Sequence, residues 1–278
     1  MDDTKQRVRV RVTDGVADVR LNRADKLNAL DRAMLAGLVT AGRQLAGDSE
    51  VRAVVLSGNG RAFCAGLDFA EFRAMTADGA GPLPPLDDDD EDYTGPAAAL
   101  AQRAAYIWAE LPVPVIAAVH GVAFGGGLQI TLGADIRLAA PDAQLSVMEI
   151  KWGLIPDMTG SQLLPELVGR DVAKELTYTG RVLGGREAAE LGLATRVSAD
   201  PLGEALTLAT EIAAKSPQAI RAAKRLLDMA GRVGVSVGFA AEQLAIHDLI
   251  GSPDQVEAVR ANLEGRAPAF TGEHRGGQ

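Results

Sequence analysis

The stretch 112–135, PVPVIAAVHGVAFGGGLQITLGAD, constrains this chain more than any other part of it. It begins as an apolar, β-branched run over 113–119, with the composition of a strand buried on both faces. It then passes through Gly121 to three consecutive glycines, Gly125, Gly126 and Gly127. A helical pattern follows, with Leu128, Ile130, Thr131, Leu132 and Ala134, closed by Gly133 and Asp135. Glycines between a buried strand and a helix let the backbone approach a ligand closely. They also leave N–H groups at the positive end of a helix, which suits an anion or a developing oxyanion. The same glycines would serve a tight strand-to-helix turn with no ligand.

The segments before this stretch alternate strands with helices. Residues 8–12 (VRVRV) and 16–21 (VADVRL), joined through Asp14-Gly15, read as a β-hairpin. A helix over 31–46 carries Met34, Leu38, Ala41 and Leu45 on one face. A buried strand over 51–58 leads into NGRAFCAGLDFAEF and another helical start. Residues 75–96, with clustered prolines and a run of six acids, offer little to bury and read as a mobile loop or lid edge. A helix over 97–110 leads back to the central stretch.

After that stretch come a strand at 136–140, helices near 161–168, 171–179 and 186–191, and a strand at 194–197. Beyond Pro201 the pattern is wholly helical, over 202–214, 217–230, 235–250 and 253–264. The fold class is therefore α/β. The expected division is a strand-and-helix core over 1–200 and a helical region over 201–278 able to pack on a neighbouring subunit.

Composition narrows the partners. The 278 residues are 47% hydrophobic and 23% charged, enough for one large core. Aromatics make up only 4%, so Ala, Val and Leu must fill it. A net charge of −9 and a pI near 4.9 argue against a nucleic-acid or membrane-surface partner. One cysteine, Cys64, rules out an internal disulfide. The start MDDTKQRVRV has no apolar signal core and no apolar run is long enough for a membrane span, so the expected location is the cytoplasm.

Two backbone positions share one character: Ala65-Gly66 after a strand and Gly126 before a helix. N–H groups from two such loops can converge on one carbonyl oxygen and stabilise an enolate or a tetrahedral oxyanion. The motifs R-A-F-C-A-G-L-D (61–68) and I-A-A-V-H-G-V-A-F-G-G-G (116–127) resemble the crotonase (enoyl-CoA hydratase/isomerase) superfamily. So do L-N-R-A-D-K-L-N-A-L (21–30), A-D-I-R-L-A (134–139) and G-R-x-L-x-x-x-E-A-x-x-x-G-L (180–193). The resemblance runs in order over about 8–270. It implies a spiral of ββα units with a C-terminal helical region, assembled as a trimer or a dimer of trimers.

The resemblance also implies an acyl-CoA thioester held by the N–H groups of Ala65 and Gly126. Coenzyme A is then part of the substrate, and no metal or redox cofactor is required. Gly66 and Leu67 would line the same site, Asp68 would fix the loop, and Lys26 with the backbone of Leu27 and Ala29 would meet the nucleotide end. Relatives often show an aromatic followed by Lys near the C-terminus; here Phe270 is followed by Thr271. Cys64 reads as a small packed residue and His120 as a structural one.

The carboxylates decide the reaction. Hydratases of the family place Glu two residues after the triple glycine, where this chain has Gln129. An amide can orient water or a substrate oxygen but cannot exchange a proton. The second family acid is intact as Glu149 in V-M-E-I, the expected base. Asp157, eight residues on, resembles the second acid of the dienoyl-CoA isomerase branch. It could equally cap the helix after Thr159-Gly160-Ser161. Hydration, proton-shuttling isomerisation and a non-catalytic acyl-CoA binder all remain open at this point.

Overall fold

The computed structural model describes residues 6–76 and 93–272. Strands β1 (Val8–Thr13) and β2 (Val16–Leu21) form the expected hairpin, with Asp14 and Gly15 both at positive φ, 49° and 78°. That is the twist a two-residue turn needs to match the strands. A 3-10 turn, Ala24–Lys26, precedes α1 (Arg32–Ala46), whose first turn is capped by Asp31 accepting the Met34 N–H at 2.8 Å. Then come β3 (Ala53–Gly58), α2 (Phe69–Thr76), α3 (Leu100–Glu110), β4 (Val115–Val119), β5 (Val122–Phe124) and α4 (Gly126–Leu132). Next are β6 (Ile136–Ala139), β7 (Gln144–Ser146), a second 3-10 turn at Glu149–Trp152, α5 (Gly160–Val168) and α6 (Arg170–Thr179). The chain finishes with β8 (Leu183–Gly184), α7 (Gly185–Glu190), β9 (Arg196–Val197), α8 (Pro201–Ala213), α9 (Pro217–Met229), α10 (Val235–Leu249) and α11 (Pro253–Glu264). Most of the acidic segment expected as a lid, 75–96, lies outside the described residues.

The main sheet runs β1-β2-β3-β4-β6-β9, antiparallel only between β1 and β2. A smaller sheet joins β5, β7 and β8. Three times the chain leaves the main sheet, touches the smaller layer and enters a helix. β3 leads to Cys64, which bridges to Ala123, then to α2; β4 leads to β5 and α4; β6 leads to β7 and α5. This is the spiral of ββα units, and its excursions all gather at the carboxyl ends of the parallel strands, where α/β sheets form their sites.

Every residue of β3 and β4 is buried. On one face Val54, Leu56, Val115 and Ala117 pack with Leu38, Leu45 and Trp108 from α1 and α3. On the other, Val55, Ile116, Ala118 and Leu138 meet Ala205, Ala209 and Ala213. These alanines, four apart, put one small-residue face of α8 against the sheet. α8, just beyond the division expected at residue 200, is the sheet's second covering layer, and without it that face would stand open. Lys224 of α9, 8% exposed, ties the next helix to the core by bonding both Asp135 carboxylate oxygens at 2.7 and 2.6 Å. Among the described residues, no helix is long and apolar enough to cross a membrane.

The close approach of α8 is testable. Ala209→Leu should overpack the sheet face and cost about 1–3 kcal/mol, read as a lower midpoint in urea unfolding. An exposed position on the same helix, Glu211→Leu, should change it by no more than about 0.5 kcal/mol.

Candidate active site

The two turns singled out by sequence are brought together by backbone hydrogen bonds. The loop after β3 runs alongside β5: Phe63 N–H donates to His120 O (2.9 Å), Cys64 N–H to Val122 O (2.9 Å), and Phe124 N–H to Cys64 O (3.0 Å). Gly125, at φ 50° and ψ −122°, turns the chain from β5 into α4 in a conformation other residues rarely adopt. A Cβ on Gly127 would collide with the Cys64 carbonyl, so this approach also demands glycine. A Cβ on Gly66 would lie 3.9 Å from the Gly126 nitrogen, so the two turns face each other closely.

Hydrogen bonding corrects the expected donor pair. The Ala65 N–H donates to Leu27 O at 2.9 Å and points back into the loop. The Gly66 N–H is directed at Cys64 Sγ, 3.4 Å away. Two residues on from Ala65, the Leu67 N–H meets no acceptor among the described residues, and neither does the Gly126 N–H. Both residues line one pocket of about 360 Å³. The donor pair available to a ligand is thus Leu67 with Gly126. Ala65 contributes to the wall but not to the pair.

The loop is held by residues on the 23–31 segment. Asn28 is fully buried, and both it and the preceding Leu27 adopt left-handed backbone conformations, with φ of 55° and 52°. Its amide nitrogen donates to the carbonyls of Asn59, Ala62 and Phe63, at 3.0, 2.8 and 3.1 Å, while its oxygen accepts the Arg23 N–H at 2.8 Å. Nothing in the sequence pattern marks Asn28 for this role. Asp68 accepts the Ala70 N–H at 2.8 Å and pairs with Arg23. The Ala70 bond, with the Arg23 guanidinium, holds its carboxyl below the usual range. Cys64 is buried, donates to Asn28 O at 3.1 Å, and has its thiol pushed up to about 12 by burial, so it is a packed, inert residue. His120 Nε2 sits 3.0 Å from Gly60 O, within the same loop framework.

Gln129 and Glu149 meet on the pocket floor. Gln129 is 2% exposed, and its side-chain oxygen accepts the N–H groups of Met158 and Gly160, both at 2.9 Å. Two N–H donors fix which end of the amide is oxygen, so the nitrogen must face the other way. There it donates to Glu149 Oε1 at 2.6 Å. Gln129 therefore does not present its carbonyl to a ligand; it clamps Glu149 from α4 and holds the turn into α5.

Glu149 is 9% exposed, and its second oxygen, Oε2, is buried with no partner. Burial pushes its carboxyl above the ordinary value. Hydrogen bonds from its own N–H and from Gln129 offset part of this, and the negative charge of Asp157 adds to it.

Asp157 lines the same pocket but is exposed, and no described group bonds its carboxylate. It does not cap α5. The N-cap position is Thr159, at φ 74°, without a side-chain bond. The capping alternative for Asp157 is removed.

Of the expected residues, Ala29, Ala65, Gly66, Leu67, Gly126, Gln129, Glu149 and Asp157 share this pocket. Lys26 is exposed at the end of its 3-10 turn, outside the pocket wall, and Leu27 reaches the site only through its carbonyl bond to Ala65. Phe270 lies elsewhere: its carbonyl accepts from Arg52, at the start of β3, about 20 Å of strand from the pocket end. The pocket also contains a group that sequence reading passed over. Phe72 and Trp152 stack with centroids 4.7 Å apart, and Phe69 meets Trp152 edge-on at 5.9 Å. A larger cleft of about 900 Å³ between α3, α9 and α10 holds none of the expected residues.

Comparison with known proteins agrees with this geometry. The family model described as enoyl-CoA hydratase/isomerase matches residues 11–273. The mouse enoyl-CoA hydratase domain-containing protein 2, mitochondrial, is 35% identical over 269 residues, covering 93% of this chain and 85% of that protein. The human methylglutaconyl-CoA hydratase, mitochondrial, is 33% identical over 283 residues, covering 97% and 79%. The crystal structure of enoyl-CoA hydratase from Bacillus anthracis superposes with a TM-score of 0.84 at 33% identity, covering 96% of this chain and all of that one. With the ββα spiral, the facing turns and the buried glutamate in place, the chain belongs to the enoyl-CoA hydratase/isomerase family of the crotonase superfamily.

Proposed function

We propose that this acyl-CoA enzyme works through a thioester enolate, with Glu149 as its single inner base and relocation of a carbon–carbon double bond as its reaction. The observation that carries this reading is the clamped amide of Gln129. A two-acid addition of water needs a second proton carrier beside Glu149. Gln129 cannot carry a proton, and its oxygen already accepts two N–H groups. Double-bond relocation needs only one carboxylate that takes a proton and returns it.

The steps balance without any added group. With a 3-enoyl thioester, Glu149 Oε2 takes a proton from C2, and the electron pair moves onto the thioester oxygen. The N–H groups of Leu67 and Gly126 stabilise that oxygen as its charge develops. Glu149, now protonated and exchanging its proton with solvent, gives a proton to C4 as the double bond forms between C2 and C3. A raised pKa suits both halves, because the group must accept from carbon and donate back.

Hydration is the second reading. The observation favouring it is Asp157, an exposed carboxylate at the pocket edge with no described partner, able to hold a water near Glu149. The name of the human relative also favours it. Assembly with further copies, expected from the resemblance, is supported by the apolar side chains that α10 and α11 leave exposed, including Phe239, Leu244, Ile246 and Leu263.

Incubation with 2-enoyl-, 3-enoyl- and 3,5-dienoyl-CoA in heavy water, followed by mass spectrometry, separates the readings. Deuterium incorporation with the double bond moved and no water added is expected; net water addition would overturn the isomerase reading. Asp157→Asn should slow isomerisation by less than about tenfold, whereas a water-holding acid should matter about 100-fold or more.

The acid limb of kcat/KM should lie above the ordinary carboxylate range, since Glu149 must be charged to act and burial opposes its charge. Gln129→Leu removes a bond that favours the charged form, so the limb should move to still higher pH. The orphaned Met158 and Gly160 N–H groups should lower stability by about 1–3 kcal/mol each, read by denaturant unfolding beside the pH profile.

A further inference from the structure

We infer that Phe69, Phe72 and Trp152 form an acyl-selecting wall that takes apolar acyl groups extending past the reacting carbons, straight-chain or aryl, and rejects acyl groups ending in a carboxylate. The inference rests on the acyl-CoA reading above and names its substrate class.

The placement follows from local geometry. Glu149 and Trp152 are the first and last residues of one 3-10 turn. In a 3-10 helix, residues three apart lie directly above one another, so both side chains share one face, and both line the pocket. An acyl group whose C2 or C4 lies at Glu149 Oε2 therefore continues toward the indole. Against the indole α2 supplies Phe69 and Phe72, also three apart and so on one side of that helix.

The rings are arranged as a wall with a bare side. Phe72 and Trp152 stack at an interplanar angle of 29°, and Phe69 stands at 75° to the indole. Yet Phe69 remains 66% exposed and Trp152 44% exposed. The chain has only 11 aromatic residues, six Phe, two Trp and three Tyr, and three of them meet here rather than in the core. Apolar area left open on the wall of a reactive pocket is area a ligand can cover.

Charge sets the exclusion. Among the described residues, the ionisable ones lining the pocket are Glu149, Asp157 and Lys151. Two carboxylates share the lining with one ammonium, so an acyl carboxylate would approach net negative charge beside an aromatic wall, with no guanidinium among the described lining residues to receive it.

Calorimetric binding of saturated thioesters tests the wall without requiring turnover. The probes are butanoyl-, octanoyl-, 3-phenylpropanoyl- and glutaryl-CoA. Octanoyl- and 3-phenylpropanoyl-CoA should bind at least about tenfold tighter than butanoyl-CoA, and glutaryl-CoA no tighter than butanoyl-CoA. Trp152→Ala and Phe69→Ala, both at exposed side chains, should each cut the octanoyl-to-butanoyl ratio to below about threefold. Circular dichroism checks that each variant is folded. Equal affinity across the series, or variants that weaken butanoyl- and octanoyl-CoA alike, would overturn the wall. Chain-length selectivity in a protein that turns over no enoyl-CoA would keep the wall and sink the enolate reading. Turnover without selectivity would do the reverse.

Discussion

The side-chain amide of Gln129 is the constraint on which the site depends. Its oxygen holds the Met158 and Gly160 N–H groups, and its nitrogen holds Glu149 Oε1. One buried group thereby fixes α4, the 3-10 turn bearing Glu149, and the turn into α5 relative to one another. Because two donors determine the amide's orientation, they also determine that Glu149 Oε1 is engaged, while Oε2 is left without a partner. A glutamate at 129 would set two carboxylates within 3 Å, and one of them would have to keep a proton. The amide removes that shared proton and leaves a single titrating group on the floor.

Around this point the sheets do the positioning. The loop after β3 and the strand β5 are laced together by backbone bonds through Phe63, Cys64 and Phe124. That lacing brings the Leu67 and Gly126 N–H groups to one pocket, while the side chain of Asn28 holds the loop from behind. α8 closes the far face of the main sheet with alanines, so the strands that carry these turns are buried on both sides. The two facing turns sit at the carboxyl ends of buried strands, and the aromatic wall of Phe69, Phe72 and Trp152 is built on α2 and a 3-10 turn.

Much of this was legible in the sequence. The alternating hairpin with Asp14-Gly15, the buried runs that became β3 and β4, and the four C-terminal helices follow directly from periodicity and turn chemistry. The triple glycine pointed to the site because glycine spacing carries chemical meaning without coordinates, and Glu149 was marked by the family resemblance. The donor identity did not. Ala65 and Leu67 are both N–H groups in one glycine turn, and only the bond from Ala65 to Leu27 O separates them. That α8, beyond residue 200, covers a sheet face was not legible, because helical periodicity does not reveal what a helix covers. Asp157 looked like a cap from its position before Thr159, yet the cap residue is Thr159 itself. Phe69 and Phe72 lie far from Trp152 in the chain, and no spacing rule joins a helix start to a 3-10 turn eighty residues on.

The central claim is that Glu149 Oε2 removes a proton from the carbon beside the thioester. Exchange of the C2 hydrogens of octanoyl-CoA in heavy water tests it most directly, since this substrate can neither be hydrated nor isomerised. The account predicts exchange catalysed by the parent protein and lost, by about 100-fold or more, in Glu149→Gln, which retains acyl-CoA binding. Exchange that persists in Glu149→Gln would contradict the account.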